Sequence, residues 1–182
     1  MKRLLGQTNL PSPRITRRRF LGTAAAAATA VAAPWIVPAS VLGADGAVAP
    51  SERITVGLIG RGLMGRGHLR KLVGDASVQV LGVCDVDRSR CEEGVQLVDE
   101  TYAAERAAGT YRGGTAYNDY RELLARSDLD AVVIATPDHW HALQAIDAAK
   151  AGKDVYCEKP VSLTIHEGRR LAETVQRYGR VF

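Results

Sequence analysis

Residues 54–67 read Ile-Thr-Val-Gly-Leu-Ile-Gly-Arg-Gly-Leu-Met-Gly-Arg-Gly, and they constrain the fold more than any other stretch of the chain. The run Ile54, Val56, Leu58 and Ile59 has the length and β-branched content of a buried strand. Gly60, Gly62 and Gly65 follow in the spacing G-x-G-x-x-G, and helical spacing begins with Met64, His68 and Leu69. Strand, glycine turn and helix in that order is the context that a dinucleotide-binding turn requires. Gly60 would permit the sharp exit from the strand, Gly62 the close approach of a diphosphate, and Gly65 the packing of the helix against the sheet. The diphosphate would rest on main-chain N–H groups at the positive end of the helix dipole. Gly60, Arg61, Gly62, Leu63, Met64 and Gly65 are therefore candidate cofactor contacts.

A glycine turn alone is a common feature, and a second signal strengthens this one. Residues 78–84 read as the next strand, and Asp85 stands at its end, 20 residues beyond Gly65. That offset suits an acid that accepts hydrogen bonds from the adenosine ribose hydroxyls. The competing reading makes Asp85 a cap of the following helix. As a ribose ligand, Asp85 favours NAD over NADP, because a carboxylate repels a 2′-phosphate. At ~4 Å and an effective dielectric of ~20, the repulsion per unit charge is about 4 kcal/mol before screening. Arg88 and Arg90 follow closely and could soften it.

The first 44 residues read as a leader and not as fold. They hold Lys2, Arg3, Arg14, Arg17, Arg18 and Arg19 and no acid, followed by an alanine-rich apolar run from Phe20 to about Leu42. Thr16-Arg17-Arg18-Arg19-Phe20-Leu21 matches a twin-arginine export signal. The expectation is export to the periplasm by the twin-arginine machinery, with a cleaved signal or an uncleaved membrane tether. Gly22, Pro34, Pro38 and the many alanines make the run a poor permanent anchor. Residues 45–52 read as a linker, and residues 53–182 as one nucleotide-binding domain. The whole chain carries 24 basic and 20 acidic residues; without the six basic residues of the leader, the remainder has a balance of −2. The positive charge thus belongs to the leader, and nothing points to nucleic acid, which needs a basic face on the folded part.

From Arg53 onward the pattern alternates strand and helix, as in a doubly wound parallel α/β sheet of the Rossmann kind. Helices are expected over residues 63–73, 88–108, 118–125, 138–151 and 164–178, with Asn118 capping the third. Strands are expected over 115–117, an edge, over 130–136, the most apolar and so central, and over 154–158. Thr164 and Glu167 form a capping box, and residues 180–182 read as the opening of a sixth strand. The expectation is a partial chain whose C-terminal substrate domain is missing. Cys84, Cys91 and Cys157 show no C-x-x-C spacing and read as small buried residues.

Two clusters lie at strand ends, on the side where this topology binds ligands: Thr136-Pro137-Asp138-His139-Trp140-His141 and Glu158-Lys159-Pro160. A lysine beside a nicotinamide could bond the substrate oxygen and pass protons; the competing reading makes Lys159 a solvated surface lysine. Glu158 is an obvious partner for it, yet neighbouring side chains on a strand point opposite ways, so Glu158 could serve structure instead. His139 and His141 are two residues apart, a spacing that suits no metal pair, and no metal is expected. His68 reads as a surface or packing residue, and Trp140 as packing in the core or at a domain interface, or else over the crevice.

These residues resemble the glucose–fructose oxidoreductase, inositol dehydrogenase and MocA family (Gfo/Idh/MocA) over residues 53–182. The resemblance rests on the Gly60, Gly62, Gly65 turn, Cys84-Asp85-Val86-Asp87, Ala135-Thr136-Pro137 with His141, and Glu158-Lys159-Pro160. It implies a nicotinamide-dependent oxidoreductase acting on a secondary alcohol of a sugar or cyclitol. Lys159 and His141 would be catalytic, and Asp85, Thr136, Pro137, Glu158 and Lys159 would meet the cofactor. Pro160 would be the proline often preceded by a cis bond. Position 138 is Asp where the family often has Asn. A full-length form would be a possible homo-oligomer. Two other functions stay open: NAD-dependent glycoside hydrolysis without net redox change, and a non-catalytic nucleotide-binding fragment.

Overall fold

The computed structural model describes Ala49 and residues 52–182, so the twin-arginine leader and nearly all of the linker lie outside the described residues. Among the described residues five strands form one sheet: β1 (Ile54–Ile59), β2 (Val78–Cys84), β3 (Thr115–Tyr117), β4 (Ala131–Ile134) and β5 (Asp154–Cys157). Their order across the sheet is β3-β2-β1-β4-β5 and every pairing is parallel. The helices are α1 (Leu63–Val73), α2 (Arg88–Thr101), α3 (Ala103–Ala107), α4 (Tyr120–Leu124), α5 (Asp138–Lys150) and α6 (Ile165–Tyr178). The expected doubly wound sheet is therefore present, with the crossovers that a parallel sheet demands.

The strands are apolar because both faces are covered. Leu58, Val80, Val83, Val132 and Ile134 are fully buried, and Leu69 of α1, Val98 of α2, Leu123 of α4 and Ala145 of α5 close over them. Each of these valine, leucine and isoleucine side chains contributes about 1.5–3 kcal/mol by leaving water. β1 lies in the middle of the sheet and β4 beside it, so the most apolar strand is internal without being the central one.

Three boundaries differ from the sequence expectation. The long helix over 88–108 divides at Tyr102, whose ring packs edge-on against Tyr111 at 5.0 Å and whose hydroxyl lies 3.4 Å from the Val80 amide. Docking that ring against the sheet turns the chain between α2 and α3. The cap of α4 is Asp119, which accepts from the Arg121 amide at 2.9 Å, and not Asn118. Residues 180–182 do not form a regular strand, yet the Val155 amide donates to the Val181 carbonyl at 2.9 Å, on the open side of β5. The expected capping box of α6 is present, and Gly179 closes that helix in the left-handed region.

Candidate nucleotide-binding site

The carboxyl ends of the parallel strands carry Gly60, Asp85, Asn118, Ala135 and Glu158 along one rim of the sheet. At the middle of that rim the glycine turn is wedged tightly. Gly60 has φ +89°, and a Cβ on it would come within 2.8 Å of the Ala135 carbonyl and the Thr136 amide nitrogen. A Cβ on Gly65 would lie 1.9 Å from the Gly60 carbonyl oxygen, so the first turn of α1 rests directly on the glycine turn. Gly62 differs. Its backbone is extended, at φ −69° and ψ −159°, and a Cβ would meet nothing within 4 Å. The fold does not need a glycine there; the space above it is open. That space faces the first turn of α1, whose main-chain N–H groups have no partner inside the helix. No acidic residue stands in that turn to occupy them.

Asp85 ends β2 and is 8% exposed. One carboxylate oxygen accepts from the Arg61 amide at 2.7 Å and the other from the Asp87 amide at 3.0 Å. The carboxylate therefore ties the end of β2 to the glycine turn while keeping lone pairs for a further donor. The capping role considered for Asp85 belongs to Asp87, which accepts from the Ser89 amide at 3.0 Å. The Ser89 hydroxyl holds the Asp87 carboxyl below its ordinary value. The Asp85 carbonyl is gripped by the Asn118 side-chain amide at 2.9 Å and faces the Cys91 sulfur at 3.1 Å. Cys91 is thus more than an apolar filler: its sulfur also lies 3.1 Å from the Tyr117 carbonyl. Arg90 reaches Asp85 at 4.0 Å and Asp87 at 3.4 Å, whereas Arg88 pairs with Glu92 at 2.8 Å.

A cleft of about 580 Å³ lies over this rim. Of the expected contacts, Gly60, Gly62, Leu63, Met64, Asp85, Thr136 and Pro137 line it. Gly65 and Arg61 lie beneath, buried. The Arg61 guanidinium turns away to Glu93 at 2.8 Å, and a Cβ on Gly94 of α2 would fall 2.7 Å from its Cδ. Sequence reading missed the wall formed by Asn118, Asp119, Tyr120 and Arg121, and the contribution of Gln144, while Trp140 takes the place over the crevice that was the lesser of its two readings. The position of residues 118–121 directly after β3 was the available signal, since ligands gather beyond strand ends in this topology. Gln144 is buried and fixed to Thr136 by a side-chain bond of 2.8 Å.

Glu158, Lys159 and His141 stand outside the lining of that cleft. His141 is 2% exposed, with Nδ1 2.6 Å from the Pro160 carbonyl and Nε2 2.8 Å from the Thr136 carbonyl. Both ring nitrogens face main-chain oxygens, and the one that carries the N–H donates, so the ring links the loops after β4 and β5 and is turned away from the cleft. The geometry makes it a positioning group. The peptide bond between Lys159 and Pro160 is cis, and the Lys159 residue is exposed. Glu158 accepts from the Lys159 amide at 3.2 Å and meets His68 Nε2 at 2.6 Å. The His68 bond, foremost, holds the Glu158 carboxyl below its ordinary value. His68, expected as a surface or packing residue, is thus paired across α1 and β5.

Residues 54–182 match the family model described as "Oxidoreductase family, NAD-binding Rossmann fold". A glycosyl hydrolase family 109 protein from Shewanella pealeana is 31% identical over 175 residues, covering 90% of this chain and 38% of its own. An inositol 2-dehydrogenase from Salmonella paratyphi B is 33% identical over 128 residues, covering 70% of this chain and 34% of its own. Among solved structures, the WlbA dehydrogenase from Bordetella pertussis in complex with NADH and UDP-GlcNAcA is similar, with a TM-score of 0.54 and 30% identity. That likeness covers 70% of this chain and 35% of the other. The chain spans about a third of the length of the curated relatives it matches.

Proposed function

Because the chain belongs to this NAD-binding oxidoreductase family, Gfo/Idh/MocA, we propose that it holds the nucleotide for hydride transfer between NAD and a secondary alcohol of a sugar or cyclitol. The observation that carries the reading is the open space above Gly62, at a helix start free of acids, with the Asp85 carboxylate at its lip. The first-turn amides of α1 meet the diphosphate there. Asp85 accepts from the ribose hydroxyls with the lone pairs that Arg61 and Asp87 leave free. When bound, the nicotinamide supplies the carbon that takes or gives the hydride. Lys159 bonds the reacting oxygen and exchanges its proton, while His141 and Glu158 hold the loops on either side. Leu63, Met64 and Trp140, exposed at the cleft, give it apolar walls that shed water when a ligand enters.

NAD is the favoured nucleotide, since a 2′-phosphate would meet the buried Asp85 carboxylate. Arg90 offsets part of that repulsion, and Arg88, engaged with Glu92, adds little. The test is calorimetric titration of the chain with NAD and NADP, repeated on Gly62→Val. Saturable NAD binding that Gly62→Val abolishes supports the reading; the absence of binding to either nucleotide by the folded chain refutes it.

A second reading keeps the nucleotide and changes the outcome: a glycosidic bond is cleaved through transient oxidation, with NAD retained. It is favoured by the Shewanella pealeana similarity, whose 90% coverage exceeds what residues 45–182 alone can supply, so it extends into the leader. In the presence of the substrate-binding part, net NADH formation on a sugar panel supports the first reading. Release of the glycoside's leaving group without net NADH supports the second. We also read residues 1–44 as the twin-arginine signal, on Thr16-Arg17-Arg18-Arg19-Phe20-Leu21 and the lack of acids. Replacing Arg17 and Arg18 by lysine should keep a fused reporter in the cytoplasm; unchanged export would refute that reading.

A further inference from the structure

Lys159 is an exposed residue whose two chain neighbours are both tied down. On one side the Pro160 carbonyl is held by His141 of α5 at 2.6 Å. On the other, the Glu158 amide donates to the Ile134 carbonyl of β4 at 2.9 Å. The Glu158 carboxylate then reaches in two directions. One oxygen accepts from the Lys159 amide at 3.2 Å, and the other meets His68 Nε2 at 2.6 Å. The side chains of His68 and Glu158 are only 18% and 14% exposed, so the pair is shielded from competing water. Tyr156 packs edge-on against the imidazole, with ring centroids 5.5 Å apart, and confines it. His68 sits on α1, the helix whose first turn forms the nucleotide cradle.

We propose that the His68–Glu158 pair is a strap fixing Lys159 relative to the start of α1, which makes His68 a positioning residue for the chemistry at Lys159. The inference rests on the placement of Lys159 beside the nicotinamide made under the proposed function. A surface ion pair would contribute little and its loss would go unnoticed at Lys159. This pair instead joins the helix that follows β1 to the segment that follows β5, two strands that β4 separates in the sheet, at the two places that must share one ligand. A nucleotide seated on α1 is presented to Lys159 in register only while the strap holds.

The test measures acylation of Lys159 by an N-hydroxysuccinimide ester, read by peptide mass spectrometry, with and without NAD. With NAD at about 100 times its Kd, the wild-type chain and His68→Gln, which keeps a donor for Glu158, should show about tenfold slower labelling. His68→Leu fills the space beside Tyr156 without a polar atom; it should bind NAD within about threefold of wild type but lose all but about twofold of the shielding. Glu158→Asp, one methylene too short to meet both partners, should lose the shielding too, and it keeps the test decisive if His68→Leu does not fold. Full shielding in either of these variants overturns the strap. Tight NAD binding without shielding in the wild type overturns the placement of Lys159 itself, and the strap with it.

Discussion

Replacing Gly62 and Gly65 separately by alanine should divide nucleotide binding from folding within one short turn. At Gly62 the backbone is extended, at φ −69°, and the new methyl meets nothing within 4 Å. Restricting the unfolded chain stabilises by about 0.4–1 kcal/mol. Placing alanine at the start of α1, a position where glycine is preferred, removes a few tenths, roughly, of that. The net change is close to zero. The same methyl occupies the open space over the first-turn amides and displaces at least one bond to a charged phosphate oxygen, worth about 1.5–3 kcal/mol. NAD affinity should fall about 10- to 150-fold. At Gly65 the methyl would lie 1.9 Å from the Gly60 carbonyl oxygen, and no side chain is available to yield. Separating α1 from its own turn should cost about 3 kcal/mol or more, at the upper end of overpacking effects. Thermal unfolding and calorimetry on the two variants read both quantities. Undiminished NAD affinity in Gly62→Ala, or its unfolding well below the wild type, would falsify the division of tasks.

His141→Leu should destabilise the fold by about 1–3 kcal/mol in urea titration, because the buried ring that links the half-buried Thr136 carbonyl to the exposed loop at Pro160 loses its one N–H bond. Glu158 has its carboxyl lowered from 4.5, so around that pH the unfolded chain binds more protons than the folded one. Its stabilising effect is fully present above pH 4.5 and is lost as pH falls through the lowered folded value, and the acid limb of the stability profile should flatten in Glu158→Gln. Burial pushes the Cys84 thiol up to about 12 and the Cys157 thiol to about 11. Iodoacetamide at pH 8 should therefore label buried Cys84 and half-buried Cys157 orders of magnitude more slowly in the folded chain than in the unfolded one, and equal rates would refute the raised thiols.

The glycine turn was legible because its demands are local: strand, turn and helix follow one another within residues 54–73, and each glycine answers a steric need of its own neighbourhood. Asp85 was legible at the cleft by offset, and Thr136 and Pro137 by their place at a strand end, whereas Glu158, at another strand end, stands outside the cleft lining. What escaped were contacts between residues far apart in the chain. Glu158 meets His68 across 90 positions, and no spacing rule links them. Asn118 looked like a helix cap because its type suits one, yet its amide is spent on Asp85, and Asp119 next to it does the capping. The break at Tyr102 interrupts a sequence with good helical content, because burying that ring against Tyr111 and β2 outweighs the local preference. His141 stood out by its place after Thr136-Pro137, but its burial between two main-chain carbonyls is a tertiary fact.

The bond from the Arg61 amide to Asp85 bears on any attempt to re-engineer this chain toward the phosphorylated dinucleotide. The usual first move would exchange the acid at position 85 for a small neutral residue. Here that exchange also releases the hinge between the opening strand and its helix, so selectivity and affinity would drift together. A designer would first have to give the Arg61 amide another acceptor, and only then rewrite the preference for the sugar.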